Sequence, residues 1–594
     1  RGATHETLNT ACGLGLDNIY FLVDWNDYGI DDHALSKVVY GTPEDWFAPH
    51  GWRVVHNDNG SDWKPVAETL GKLVGESSEN KAPSMAYFKT RKGRDYLKYD
   101  NASHGSPHKM NSDLFWQLRK QFADKYGATF TNVDGDSPSA PKALDAEFRA
   151  NLKAVVDVMA QDKGLVTFLA DRLVKIGDSV PEDLPTFKLG KKGSPFSDKR
   201  LWDYKNYPKD LFKAPGEKAA NRNALATWGA WINSIGAKDY GRPVVLAASA
   251  DLAGSTNIKG FADGYGDFDG YGWYERKGSD EGTLMPTEIT EFTNAGLMAA
   301  AATTNMAPDP NKEFDGFWGA ASTYGSFSYL KYGPMRLFSQ FSQDSPLKGG
   351  KFIYVAGHSG PETADDSRTH FGIFAPGVGR LFPKGNVINL HPWEHNEVPV
   401  LLAAAGASSV PLIILHLTRP AIEIPDREAL GMPSYFEAAK GAYVVRDFDD
   451  SAPHGGTVFV QGTSAMRSVV QLLPDLKKKG LNVRLICVTS AELFAMQDQS
   501  YRDSVVGPAD RVDSTYVSTQ ARVSMADWSF NGIADEYAVT PDYDDRWRTG
   551  GSLDEVIDES HLSPEWVLKG IEKFVGNRKS RLERLGADVA AVQK

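Results

Sequence analysis

The sequence predicts an α/β protein built of three doubly wound units with mostly parallel sheets, and three observations carry that expectation. Its apolar runs are short and unbroken, as at 352–355 and 412–415, and each ends in a polar turn; this is how parallel strands buried on both faces read. Strand-like and helix-like segments alternate, most plainly over 457–460, 465–480 and 483–488. Finally, a chain of 594 residues is too long for one core and ordinary for three or four domains.

Composition narrows the class. Apolar residues make up 41% and charged residues 24% of the chain, values of a soluble globular protein. A net charge of −12 argues against nucleic acid as the main partner. There is no run of eighteen apolar residues, and the Ala-rich stretch at 295–302 is too short to span a membrane, so no membrane partner is expected. Cys12 and Cys487 stand far apart, which gives neither a disulfide framework nor a cysteine metal site. With no secretory signal at residue 1, the expected setting is reducing and cytoplasmic.

The first domain is expected over 1–175. Strand 19–23 runs into Asp24-Trp25-Asn26-Asp27-Tyr28-Gly29, a polar turn at the crevice position of an α/β sheet. The Asn26 side chain and the Tyr28 carbonyl are oxygens of the kind a hard cation takes, although a plain Asx turn uses the same residues. Strand 51–55, helix 65–75 and strand 86–91 follow, then the segment Ser103-His104-Gly105. Helical periodicity through Leu144, Phe148, Leu152, Val156 and Met159 closes the domain. Residues 176–217, rich in Pro, Lys, Asp and Gly, read as a linker.

A second domain spans 218–430. Its first helix carries Arg222, and strand 244–247 leads into Ser249-Ala250-Asp251-Leu252 and then Ser255. An arginine fork with a loop serine and a histidine suits a phosphate. Glu291 precedes a small-residue helix, where a carboxyl in apolar surroundings suits acid–base work; a helix N-terminus also favours such a carboxylate with no further role. Rings from Phe314 to Tyr332 read mostly as core, with some available to stack on a flat heterocycle. The loop after strand 352–355 gathers His358, Asp365, Asp366, Arg368 and His370, a polar-ligand signature. Strand 387–390 leads to Asn396-Glu397-Val398, and strand 412–415 leads to Thr418-Arg419. The third domain, 431–594, is a βαβ scaffold with no legible chemistry.

In this order the segments resemble the transketolase family along nearly the whole chain. His358, Asp366 and His370 keep the family's spacing of eight and twelve residues, and Ser249-Ala250-Asp251-Leu252 matches its motif. Residues 1–175 would then be the remainder of the diphosphate-binding domain, 218–430 the pyrimidine-binding domain and 431–594 the C-terminal domain. The resemblance implies thiamine diphosphate held with Mg²⁺ (or Ca²⁺), the metal ligands being Asn26 and the Tyr28 carbonyl. The family's preceding Gly-Asp-Gly would lie ahead of Arg1, so the chain is expected to start inside a domain, to bind cofactor weakly or not at all by itself and to hold residues 1–15 loosely.

The same resemblance makes Glu291, His104 and His358 catalytic, with Asp251, Glu291, Tyr324, Phe327 and His104 at the cofactor. It places Arg222, Ser255, His358, Asp366, His370 and Arg419 on a sugar-phosphate substrate. Sliding the alignment by three would put Asn294 where Glu291 stands. Phe292 replaces a usual histidine, and the family's third ring falls on Leu330. The implied activity is transfer of a two-carbon ketol unit from a ketose phosphate to an aldehyde through a thiamine diphosphate carbanion. A homodimer with active sites at the interface goes with it. A dihydroxyacetone-synthase-type relative using formaldehyde would keep every one of these residues. A non-catalytic scaffold subunit is the other alternative, favoured by the absent Gly-Asp-Gly and the Leu330 gap in the aromatic wall and opposed by the retained Arg222, Ser255, His358, Asp366 and Arg419.

Overall fold

The structure is a computed structural model that describes residues 3–30, 33–75, 82–101, 108–179, 189–190, 193–309, 313–363 and 366–592. The chain divides into two compact units, Ala11–Thr186 and a larger one made of Arg1–Thr10 with Phe187–Lys594.

Helix α1 (Thr4–Gly13) opens the chain. Against the expectation that residues 1–15 are loosely held, polar groups tie Glu6 and Thr7 to the larger unit. Glu6 Oε2 accepts from the Thr293 amide at 3.2 Å, and the hydroxyls of Thr7 and Thr293 meet at 3.1 Å.

The smaller unit is a three-stranded parallel sheet of β1 (Tyr20–Trp25), β2 (Arg53–Asn57) and β3 (Ser84–Lys89) in the order β1-β3-β2. Helix α2 (Trp63–Gly75) packs against β2 and β3, burying Leu73 and Thr69. Three further helices are α3 (Asp113–Tyr126), α4 (Pro141–Ala160) and α5 (Lys163–Ser179). The apolar stripe of α4 is not a core face: Phe148, Leu152, Val156 and Met159 are exposed.

In the larger unit a six-stranded parallel sheet consists of β4 (Val245–Ser249), β5 (Leu284–Met285), β6 (Trp318–Tyr324), β7 (Phe352–Gly357), β8 (Val387–Leu390) and β9 (Leu412–His416). The strand order is β5-β4-β6-β7-β9-β8. Helices α6 (Asn221–Ile235), α7 (Glu291–Ala301), α8 (Tyr332–Asp344) and α9 (Glu397–Ala407) accompany it. The uninterrupted apolar strands are the sandwiched ones: Phe352, Ile353, Tyr354 and Val355 are all fully buried.

The C-terminal sheet, β10 (Ala442–Arg446), β11 (Thr457–Gln461), β12 (Arg484–Val488) and β13 (Ser514–Ser518), runs β10-β12-β11-β13 with only β10 antiparallel. It carries α10 (Thr463–Lys478) and α11 (Pro564–Gly576). Residues 193–217 differ from a linker. Short 3₁₀ turns bring Phe196, Leu201, Tyr207 and Leu211 inward at spaced positions, and all four are buried in the main core. Asn396 fastens this segment through paired bonds to the Lys213 backbone at 2.7 and 2.9 Å. Its neighbour Glu397 joins Glu394, Arg427 and the Tyr443 hydroxyl in a buried network.

Candidate functional site

Four adjacent strands, β4, β6, β7 and β9, end at the same rim of the six-stranded sheet, which is where open α/β sheets bind ligands. Ser255 lies six residues beyond the end of β4, Tyr324 is the last residue of β6, His358 follows β7, and Arg419 lies three residues past β9. Parallel pairing sets Tyr324 opposite Gly357 and so beside His358. The two rings stack with centroids 3.8 Å apart and planes inclined by 16°. His358 adopts a left-handed backbone conformation (φ 58°), which turns its side chain back over the strand ends.

Polar groups close around this stack. The Ser255 hydroxyl meets the Tyr324 hydroxyl at 2.9 Å and His358 Nε2 at 3.4 Å. Arg222, the second residue of α6, donates to the Ser255 carbonyl at 2.5 Å. Asp366 stands among three groups, 3.8 Å from His358 Nδ1, 3.5 Å from His370 Nδ1 and 3.6 Å from Arg419 Nη1. These are charge contacts longer than ordinary hydrogen bonds. His370 also lies against Tyr324 and Phe327, at ring distances of 5.0 and 6.0 Å.

Burial, reinforced by the Arg222 charge, pushes the His358 imidazole down to about 3, so it is neutral near pH 7. The arginines therefore carry the positive charge, and the neutral imidazole can donate one hydrogen bond and accept another.

Glu291 opens α7 and is 5% exposed. Its Oε1 accepts from Thr323 Oγ1 at 3.2 Å, which links it through β6 to Tyr324. Asn294 Oδ1 accepts from the buried Lys331 ammonium, which also donates to the Glu291 carbonyl. Asp251 is exposed in a left-handed turn after β4 (φ 58°), held there by its backbone alone.

The two expected metal ligands belong to the smaller unit. Asn26 Oδ1 accepts from the Tyr28 amide at 3.1 Å, and its Nδ2 donates to Asp24 Oδ2 at 3.0 Å. The Tyr28 carbonyl faces the Lys92 ammonium at 3.5 Å, and that ammonium also bonds the Gly29 carbonyl. The oxygens are of the right kind for a hard cation, but each is already engaged. Among the described residues no group of three or more His, Cys, Asp or Glu is arranged to hold a metal ion. His104 lies outside the described residues.

Sequence reasoning missed Lys331 and Thr323, which flank Glu291, and Glu362, whose buried carboxyl is pushed up to about 7 in the same loop as His358. A lysine inside the aromatic run 324–332 was the one available signal for Lys331.

Two family models match the chain. "Transketolase, thiamine diphosphate binding domain" covers residues 1–134, and "Transketolase-like TK C-terminal domain" covers residues 441–537. A transketolase of Staphylococcus aureus is 25% identical over 517 residues, taking in 85% of this chain. The match takes in 66% of that relative's own length. A plasmid-borne transketolase of Cupriavidus necator is 24% identical over 553 residues, 91% of this chain and 70% of the relative.

Among solved structures, transketolase from Leishmania mexicana superposes with a TM-score of 0.66 at 17% identity, over 97% of this chain and 74% of its own. A Pichia stipitis transketolase in complex with sedoheptulose 7-phosphate gives 0.66 at 18% identity, over 98% and 76%. The fold is thus that of transketolases. No helix among the described residues is long and apolar enough to cross a membrane.

Proposed function

Because the chain is a member of the transketolase family, we propose that it transfers a two-carbon ketol unit from a ketose phosphate to an aldehyde with thiamine diphosphate as cofactor. One observation carries the proposal: Arg222, Ser255, His358 and Arg419, scattered over 198 positions of sequence (419 − 222 + 1), converge at one rim beside the aromatic turn. Two guanidinium groups, a hydroxyl and a neutral imidazole make a donor set for a phosphate monoester.

The residues fit the cofactor's pyrimidine end. A buried carboxyl, Glu291, is bonded to Thr323 at the end of β6, one position before Tyr324. Bound there, the cofactor would supply the nucleophilic carbon that splits the donor's C–C bond. Glu291 would hold and release the proton at the pyrimidine ring nitrogen. His358 would exchange protons with the donor's oxygens, and Asp366, spaced from His358 and His370, would accept from a substrate hydroxyl. Phe327 and Tyr324 would exclude water from one side. Arg222, Ser255 and Arg419 would fix the phosphate and so set the sugar's reach.

Asn26 and the Tyr28 carbonyl are the proposed holders of a divalent cation, which requires the Lys92 ammonium to swing away. That engagement favours a second reading, a scaffold subunit that does not load cofactor. Two experiments separate them. Calorimetry with thiamine diphosphate and Mg²⁺ should give saturable binding, and a ketose phosphate donor with an aldehyde phosphate acceptor should turn over. Absence of both assigns the scaffold role. Active sites built from two copies of the chain belong to the same proposal, and sedimentation at micromolar concentration should give a dimer.

A further inference from the structure

Lys331 has no part in the function proposed above, yet it is the most unusual side chain near Glu291. It closes the 3₁₀ turn Gly325–Lys331 that carries Phe327, and it precedes α8. The side chain is fully buried. Its ammonium donates to the Glu291 carbonyl at 3.2 Å and to Asn294 Oδ1, and sits 5.9 Å from the centre of the Tyr354 ring. Both hydrogen-bond partners are neutral.

Lysine is rarely buried completely without a charge partner, since removing an ammonium from water is costly. A packing role would be filled more cheaply by methionine or leucine. The position of the amine is informative instead. It bridges the first turn of α7, which sets where the Glu291 carboxyl stands, to the turn that presents Phe327 and follows Tyr324. Two acidic groups act on its charge, Glu291 first and then Glu6, whose carboxylate accepts from the Thr293 amide one turn away.

We propose that Lys331 is a positioning residue for Glu291: its side chain pins the first turn of α7 to the aromatic turn. This rests on the ketol-transfer reading for its catalytic meaning, but the pinning contact itself belongs to the ligand-free protein. The Glu291 carboxylate favours the Lys331 ammonium against the cost of burial.

Burial takes Lys331 down to about 7 from 10.5. A folded-state value below the unfolded one means that the unfolded chain binds the extra proton across roughly pH 7–10.5, so Lys331 makes stability rise with pH through that window.

The test compares wild type with Lys331→Met, Glu291→Gln and the double variant, using thermal unfolding of ligand-free protein from pH 6 to 10. Lys331→Met should lose the wild-type rise in Tm above pH 7. Glu291→Gln should move that rise to lower pH, by about one pH unit, and should have no such effect once Lys331 is methionine. Lys331→Gln serves the same comparison if the methionine variant fails to fold. A rise left in place by Glu291→Gln, or one retained by both Lys331 variants, overturns the placement of Lys331 beside Glu291.

With cofactor and substrates, Lys331→Met should lower kcat about tenfold and shift the pH–kcat profile while KM stays within about twofold. An unchanged profile overturns the positioning role. A Lys331-dependent rise in the ligand-free protein, together with no turnover by wild type, would sink the ketol-transfer reading and leave the placement of Lys331 intact.

Discussion

The ring of Tyr324 lies flat on the imidazole of His358, 3.8 Å from centre to centre and 16° from parallel, while its hydroxyl reaches the Ser255 hydroxyl at 2.9 Å. One tyrosine therefore joins three strand ends. It covers the histidine of β7, fixes the serine beyond β4, and is itself the last residue of β6. Removing it should loosen all three.

Tyr324→Ala should destabilise the protein by about 3–5 kcal/mol, the usual cost of deleting a buried ring. Tyr324→Phe keeps the stack and loses one hydrogen bond, so its cost should be about 1 kcal/mol. Denaturant unfolding distinguishes them. Equal effects of the two variants would show that the hydroxyl, and not the ring, holds the site together.

Acid should unfold the protein through its buried histidines. Burial pushes His358 down to about 3 and His416 well below its ordinary value. The folded state binds fewer protons at both than the unfolded chain does. Stability is therefore full above about pH 6.5 and falls as pH drops towards 3, by about 4 kcal/mol for His358 alone. His416 stacks on His391 at 4.2 Å, an arrangement phenylalanine would keep. His416→Phe should flatten the acid limb of Tm against pH by one titrating group; a limb of wild-type steepness would remove His416 from the account.

The arginine end of the site should read phosphate. Arg419→Ala removes one charge-assisted partner, worth about 1.5–3 kcal/mol. KM for a phosphorylated ketose donor should rise roughly 10- to 100-fold. KM for the same ketose without its phosphate should change little. Parallel rises for both donors would place Arg419 at the sugar and not at its phosphate.

Much of this arrangement was legible in the sequence. Strands such as 352–355 and 412–415 are short and evenly apolar, as strands buried on both faces are, and they occur where expected. The His358–Asp366–His370 spacing was legible through its resemblance to a family loop, and the two histidines do gather about Asp366, at 3.8 and 3.5 Å. What was hidden depends on neighbours distant in sequence. The Pro- and Lys-rich composition of 176–217 masks four inward residues, Phe196, Leu201, Tyr207 and Leu211, whose burial comes from short turns that no helix or strand period reveals.

Lys331 was hidden for the opposite reason. A lysine reads as surface, and only tertiary contact with Glu291 and Asn294 accounts for its burial. The Lys92 contact with the carbonyls of Tyr28 and Gly29 likewise joins residues more than sixty positions apart.

The claim at the centre of this account is that Glu291 is the acid–base carboxyl of a thiamine diphosphate-dependent ketol transfer. Glu291→Gln is nearly isosteric and still accepts the Thr323 hydrogen bond, so the fold should survive it. The direct measurement is kcat for ketol transfer by wild type and Glu291→Gln, at saturating thiamine diphosphate, Mg²⁺ and donor. The account predicts a fall of roughly 10²–10⁴-fold, the range for loss of a general acid–base group. A Glu291→Gln enzyme with wild-type kcat would contradict it.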